Sequence, residues 1–297
     1  MENKKKFTRE TFVRKFYKEN KLPFPVQREE FLEYYSQVEG FENLVTKFNK
    51  YMDKVSNYGF TKYVEDKDLF EQEMVSYLKN HKKYKEFLNM QTPNVSYDLH
   101  DGLRKDLYKE DLANNYYLSV DMNTANFYML YKLGVVETPN YKKWLTQFTK
   151  EEELLNSKQL RQVLLGQLNN KKLEKLMKLE MFENVKNADT DGLLDKNNVV
   201  TLNKDEVVYK VDNLEEMEEL VNSGVLTEWF NNCSFELFKL VKTKYGFAKE
   251  YLNGTYSFHA VPSKYWMENY KDYKKLPTNE KDFMFLDENR KLCLRLE

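Results

Sequence analysis

The chain of 297 residues sets 47 Lys and Arg against 48 Asp and Glu, a formal net charge of −1. No global basic field draws it to nucleic acid, and any such affinity has to come from local patches. Two cysteines, Cys233 and Cys293, stand far apart without Cys-x-x-Cys or Cys/His spacing, which excludes a disulfide framework and a structural zinc site.

The N-terminus "MENKKKFTRE" leads into no apolar signal region, and no later apolar run approaches the roughly 18 to 20 residues that span a bilayer. A soluble, unexported protein is expected, with no membrane partner, in the cytoplasm (the host's cytoplasm if the chain is viral). From residue 5 to about 90, "REEFLEYYSQVEGFENLVTKFNKYM" and "DLFEQEMVSYLKNHKKYKEFLNM" place aromatics, Leu, Val and Met three and four apart among charges, which predicts amphipathic helices. Pro23 and Pro25 in "KLPFPV" break the first helix from the next, and Pro93 in "QTPNVSYD" marks a boundary. The expected organisation is α+β: a helical region over 1–92, then an α+β domain over 93–297 carrying a basic helical insertion at about 150–185.

Beyond that boundary "YLSVDMNTANFYMLYKLG" changes period. It alternates like a strand up to Val120 and thickens into a helical pattern from Asn123, with Asp121 at the seam. Asp121 there is open to two readings, a helix N-cap accepting first-turn N–H groups or a ligand to something outside the chain. Next, "NSKQLRQVLLGQLNNKKLEKLMK" holds six basic residues against one acidic, Glu174, and reads as a solvated helix face or a phosphate grip. "NADTDGLLDKNN" lacks the Gly and Glu of a calcium loop and reads as a polar loop. The β-branched runs Val199–Leu202 and Val207–Val211 flank Asn203-Lys204-Asp205-Glu206, a hairpin whose turn is polar with or without a function for its acids. "NLEEMEELVNSG" predicts a helix ending at Gly224, and strands around Asn253-Gly254 and a short helix follow. Lys239, Lys242, Lys244, Tyr245, Phe247 and Lys249 read as core aromatics flanked by lysines, or as a track for a nucleic-acid backbone. His81, His100 and His259 are isolated and imply no catalytic triad.

A carboxylate at a strand end and another at the tip of an adjacent hairpin converge if the strands share a sheet. That arrangement serves two-metal phosphoryl transfer. At these residues the sequence carries a resemblance. "LSVDMNTANFYML" resembles the first palm motif of family A DNA polymerases, a strand ending in a metal-binding Asp with a helix beginning at once. "TLNKDEVVYKVDNLEEMEELV" resembles their third motif, an apolar strand, a His-Asp-Glu turn, a second strand and an acidic helix. The likeness covers about residues 115–225 and implies a palm-like antiparallel sheet with packed helices.

It further implies that Asp121 and Asp205 bind two Mg²⁺ ions, that Glu206 supports them, and that the Met122 carbonyl completes the first metal site. Lys158, Arg161, Lys171 and Lys172 would hold the incoming triphosphate, Gln162 would sit near its base, and Asn126 lies where the family places a sugar-contacting Glu. Lys204 stands in place of the turn's His, the order of Lys158 and Arg161 is reversed, and the Tyr-Gly that ends the family's helix is missing. The interval between Asp121 and Asp205 is short for that family, which implies much reduced fingers. The implied function is a polymerase-like nucleotidyltransferase, with a nucleoside triphosphate and nucleic acid as partners and a protein partner docking on the N-terminal helices. The departures keep open a non-catalytic palm-like accessory protein that binds nucleic acid or protein, possibly viral, and the same carboxylates would also serve a two-metal nuclease.

Overall fold

A computed structural model describes residues 9–20, 22–23, 29–94, 96–168, 170–286 and 292–294. Five helices come first: α1 (Arg9–Glu19), α2 (Glu30–Tyr35), α3 (Leu44–Tyr58), α4 (Phe60–Asn80) and α5 (Lys82–Asn89). The helical reading of the N-terminal region holds for them, while Pro25 lies outside the described residues. Then come β1 (Tyr116–Met122), α6 (Ala125–Lys132), α7 (Tyr141–Leu145), α8 (Glu152–Asn156), α9 (Lys158–Gly166) and α10 (Asn170–Thr190). The hairpin β2 (Val199–Leu202) and β3 (Glu206–Val211) leads to α11 (Leu214–Asn222) and the meander β4 (Cys233–Lys242), β5 (Phe247–Tyr251) and β6 (Tyr256–His259). The chain closes with α12 (Trp266–Tyr273), β7 (Met284–Leu286) and β8 (Leu292–Leu294). The fold class is α+β, and no described helix is long and apolar enough to cross a membrane.

The chain divides into two units. The first takes Met1–Tyr77, Asn156–Leu164 and Pro262–Glu297, and the second takes Leu78–Leu155 and Leu165–Val261. This division differs from a single cut at 92, because the basic region over 150–185 is three helices and α9 belongs, up to Leu164, with the first unit. In the first unit, Phe12 and Phe16 of α1 project one turn apart, and Phe16 meets Phe48 of α3 edge-on at 5.2 Å and Tyr51 at 5.7 Å. Leu44, Phe48, Tyr51, Met52 and Val55 make the buried stripe of α3 at helical spacing. Polar groups are buried here too: Asp282 accepts from Tyr34 Oη, from Lys271 Nζ at 2.8 Å and from the Asn279 N–H at 2.6 Å.

The second unit is organised by a six-stranded antiparallel sheet of order β2-β3-β1-β4-β5-β6. Both β3 and β4 run antiparallel to β1 and flank it, so the connection through α11 crosses over β1. The first four strands thus have the order of a split β-α-β arrangement. Burial along β1 does not alternate, because both faces are covered. Leu118, Val120 and Met122 point to one side, while on the other Tyr117 packs with Leu107, Val208, Phe238, Leu240 and Phe247 under Tyr108 to Ala113. The cover ends at Asp121, which is exposed.

The β4–β5 turn is fixed by a close approach at Gly246. A Cβ there would lie 2.5 Å from Val261 Cγ2 and 2.6 Å from the His259 carbonyl oxygen. Gly246→Ala is therefore expected to destabilise the second unit by about 1–3 kcal/mol through overpacking, read as a lower chemical-denaturation midpoint at unchanged slope.

Candidate active site

Asp121 is brought to Asp205 by register. Asp121 pairs with Glu206 across β1 and β3, and the Met122 N–H donates to the Asp205 carbonyl at 2.8 Å. Directly opposed residues in such a pair hold their Cβ atoms about 4.5–5.5 Å apart, so acids at these positions share one edge of the sheet. The reading of Asp121 as a helix N-cap fails: the N-cap of α6 is Thr124, in left-handed conformation at φ 50°, with no side-chain cap. The Asp121 carboxylate makes no hydrogen bond or ion pair among the described residues.

Crowding by the surrounding protein, then the negative charges of Asp205, Glu206 and Glu236, push the Asp121 pKa up to about 6 against the opposing pull of Lys249. The side chain remains open to solvent on one side, so a proton or a cation can enter. Asp205, half-buried, is also raised, by burial first and in part by Glu206 and Glu174, while its own N–H and Lys204 work against the shift. Glu206 is engaged: its Oε1 accepts from Ser119 Oγ at 2.6 Å and from Lys249 Nζ at 3.2 Å. Among the described residues no group of three or more His, Cys, Asp or Glu is placed to hold a metal ion.

The remaining expected residues divide. Lys171 and Lys172 stand in the first turn of α10 and line an open hollow of about 480 Å³ with Met90, Gln91, Thr92 and Lys175. Lys172 Nζ already donates to the Leu88 carbonyl at 2.8 Å, while Lys171 and Lys175 are exposed. This stretch of α10 adjoins the acidic turn, since Glu174 bridges Lys204 at 2.6 Å. Asn126, in the first turn of α6, has a buried Oδ1 without a hydrogen-bond partner among the described residues. Arg161 and Gln162 lie on the part of α9 that belongs to the first unit, Asp121 and Asp205 belong to the second, and the Lys158 side chain is outside what is described.

Two residues of the site have no sequence signal that joins them to the acids. Glu236 faces Asp121 from β4, and Lys249 reaches Glu206 from β5. Only the β4 and β5 registers, which place Glu236 opposite Ser119 and Lys249 opposite Leu240, identify them. The other motifs find structural employment. Asp189 pairs with Lys196 at 2.9 Å, Asp191 accepts from Trp229 Nε1 at 2.6 Å and Asp195 caps a turn, so "NADTDGLLDKNN" is the last turn of α10, which ends at Thr190, followed by a polar loop. His100 bonds the Val199 carbonyl at 2.7 Å beside the sheet edge.

The raised Asp121 pKa has a measurable consequence. Protons compete with a cation for this carboxylate, so Mg²⁺ binding is expected to weaken as the pH falls from 7 to 5, with half of the loss near pH 6. Calorimetric titration of Mg²⁺ across that range checks it. The chain matches no protein-family model, and comparisons with curated proteins and with solved structures find no match either.

Proposed function

We propose that this chain is a polymerase-like nucleotidyltransferase, which transfers a nucleotide from a nucleoside triphosphate to a hydroxyl of a nucleic acid. The observation that carries the reading is the pairing of Asp121 and Asp205. Two carboxylates from elements distant in sequence are held at one sheet edge, the charge of Asp205 helps raise the Asp121 pKa, and neither has a cationic side chain bonded to it among the described residues. Like-charged acids cost stability where they stand, and a divalent cation offsets that cost. The strand order supports the same reading, because it sets the strand that carries Asp121 next to its last residue beside the hairpin carrying Asp205, as the two palm-like motifs require.

The donor set fits Mg²⁺, a hard ion that takes one or two carboxylates and completes its shell with water and substrate phosphates. Asp121, Asp205 and the Met122 carbonyl would hold it. Mg²⁺ bound there supplies activation of the attacking hydroxyl and neutralisation of charge on the phosphates. The chain's own residues do the rest. Glu206, spent on Ser119 and Lys249, keeps the turn in register. Lys171, Lys172 and Lys175 offer positive charge to phosphates at the hollow beside α10, and the Asn126 Oδ1 offers an acceptor near the start of α6.

The test is incorporation of labelled nucleotides by the purified chain on a primed template, with Mg²⁺ and with chelator. Mg²⁺-dependent product supports the reading, and none across DNA and RNA templates and primers refutes it. A second reading, a non-catalytic palm-like protein that binds nucleic acid, is favoured by the departures from the palm motifs, Lys204 in place of the turn's His and Asn126 in place of the sugar-contacting Glu. Binding of a primed template without incorporation is its signature.

A further inference from the structure

Lys249 is the most deeply buried cation near the site, with its side chain 6 % exposed. A lysine that deep requires a carboxylate, because an ion removed from water is tolerated only when paired. Its ammonium lies 3.2 Å from Glu206 Oε1 and 4.5 Å from the centre of the Phe238 ring. In the sheet, β1 and β4 lie between β3 and β5, so this pair laces four strands, with Ser119 of β1 donating to the same Glu206 oxygen. The other polar groups beside Lys249 are satisfied without it. Tyr108 Oη bonds His259 Nδ1 at 2.8 Å, His259 Nε2 bonds Ser257 Oγ at 2.9 Å, and Ser257 Oγ bonds Tyr251 Oη at 2.9 Å. Burial and the Lys249 charge lower the His259 pKa to about 4, so the imidazole is neutral at pH 7 and adds no charge to the cluster.

We propose that Lys249 is a positioning residue of the acidic site: by taking the half-buried Glu206 as its counter-ion, it leaves Asp121 and Asp205 as the open pair for a divalent cation. The proposal rests on the nucleotidyltransferase reading for the identity of that cation alone. The lysine settles which of three neighbouring acids is structural and which two are free. It also keeps the hairpin tip in register before any cation arrives.

The experiment is a double-mutant cycle over Lys249→Met and Glu206→Gln in the full chain, read by thermal unfolding in chelator and by calorimetric titration with Mg²⁺. Glu206→Gln, which strands the buried Lys249 charge, is expected to lower the unfolding midpoint by roughly 10 °C, Lys249→Met, which strands the half-buried Glu206, by less, and the double variant is expected to regain at least half of the larger loss. Releasing Glu206 adds one negative charge beside Asp121 and Asp205, so Lys249→Met is expected to tighten Mg²⁺ binding by about tenfold. The double variant should return to within about twofold of the starting affinity. Lys249→Arg keeps the charge and should hold it too. A side chain that merely fills space would make the single and double variants equally unstable and would not tighten Mg²⁺ binding in Lys249→Met, which overturns the proposal. If Lys249→Met alone does not fold, the double variant decides: folded, it supports the pairing, and unfolded, it overturns it. A starting protein that binds no Mg²⁺ refutes the metal site, while additive midpoint shifts in the thermal cycle refute the Lys249 pairing separately.

Discussion

Asp121→Asn and Asp205→Asn are each expected to lower Mg²⁺-dependent nucleotide incorporation by about 10³-fold, the scale on which removing one electrostatic element of a phosphoryl-transfer site acts. In the same variants the metal-free fold should be no less stable than the parent at pH 7, because each substitution removes one of two mutually repelling charges. That combination separates a functional acid from a structural one, whose loss lowers activity and stability together. The pH dependence carries the same sign. A carboxyl with a raised pKa in the folded state favours the fold while protonated, so the Asp121 contribution is complete below about pH 4 and is lost as the pH rises through about 6. Asp121→Asn should flatten the unfolding midpoint over that window. Unchanged incorporation in both variants removes the site assignment, whatever the stability does.

Asp282→Ala is expected to destabilise the first unit by about 3–5 kcal/mol, the cost of leaving a buried ion unpaired. The Asp282 side chain is wholly buried, and it accepts at once from Tyr34, from Lys271 and from the Asn279 N–H. Its loss strands the Lys271 ammonium, whose side chain is 12 % exposed, and removes the acceptor that holds the Asn279 turn. Differential scanning calorimetry reads the effect, and a midpoint unmoved by the substitution contradicts it. Lys271→Met combined with Asp282→Leu should recover much of the loss, since a well-packed apolar pair replaces an ion pair at little cost.

The elements legible in the sequence are those whose signal is local. The stripe Leu44, Phe48, Tyr51, Met52 and Val55 of α3 is written at helical spacing, the β-branched runs give β2 and β3, and Asn253-Gly254 gives the β5–β6 turn, with Gly254 at φ 80°. Glu206, placed in the turn by its charge, instead begins β3, because its carboxylate finds Ser119 and Lys249 on the sheet face. Asp121 and Asp205 were legible as a pair through the strand-helix and hairpin patterns around them. Glu236 and Lys249 were not, since an exposed acid and a buried lysine look alike in a charged strand until the neighbouring strands are aligned. Lys249 in particular reads as a surface cation by type, and only a carboxylate in sequence-distant β3 makes its burial tolerable. The basic stretch shows a division of another kind. Lys158 and Lys171 share one run of composition, yet the chain around Leu164 passes from one unit to the other, a change that charge alone does not mark.

The interleaving of the two units bears on how the protein is made. The first unit draws on segments from the beginning, the middle and the end of the chain, whereas the second is complete once Val261 has been synthesised. A nascent chain leaving the ribosome N-terminus first can therefore close the sheet, with both aspartates in place, while α1 to α3 still await Pro262–Glu297.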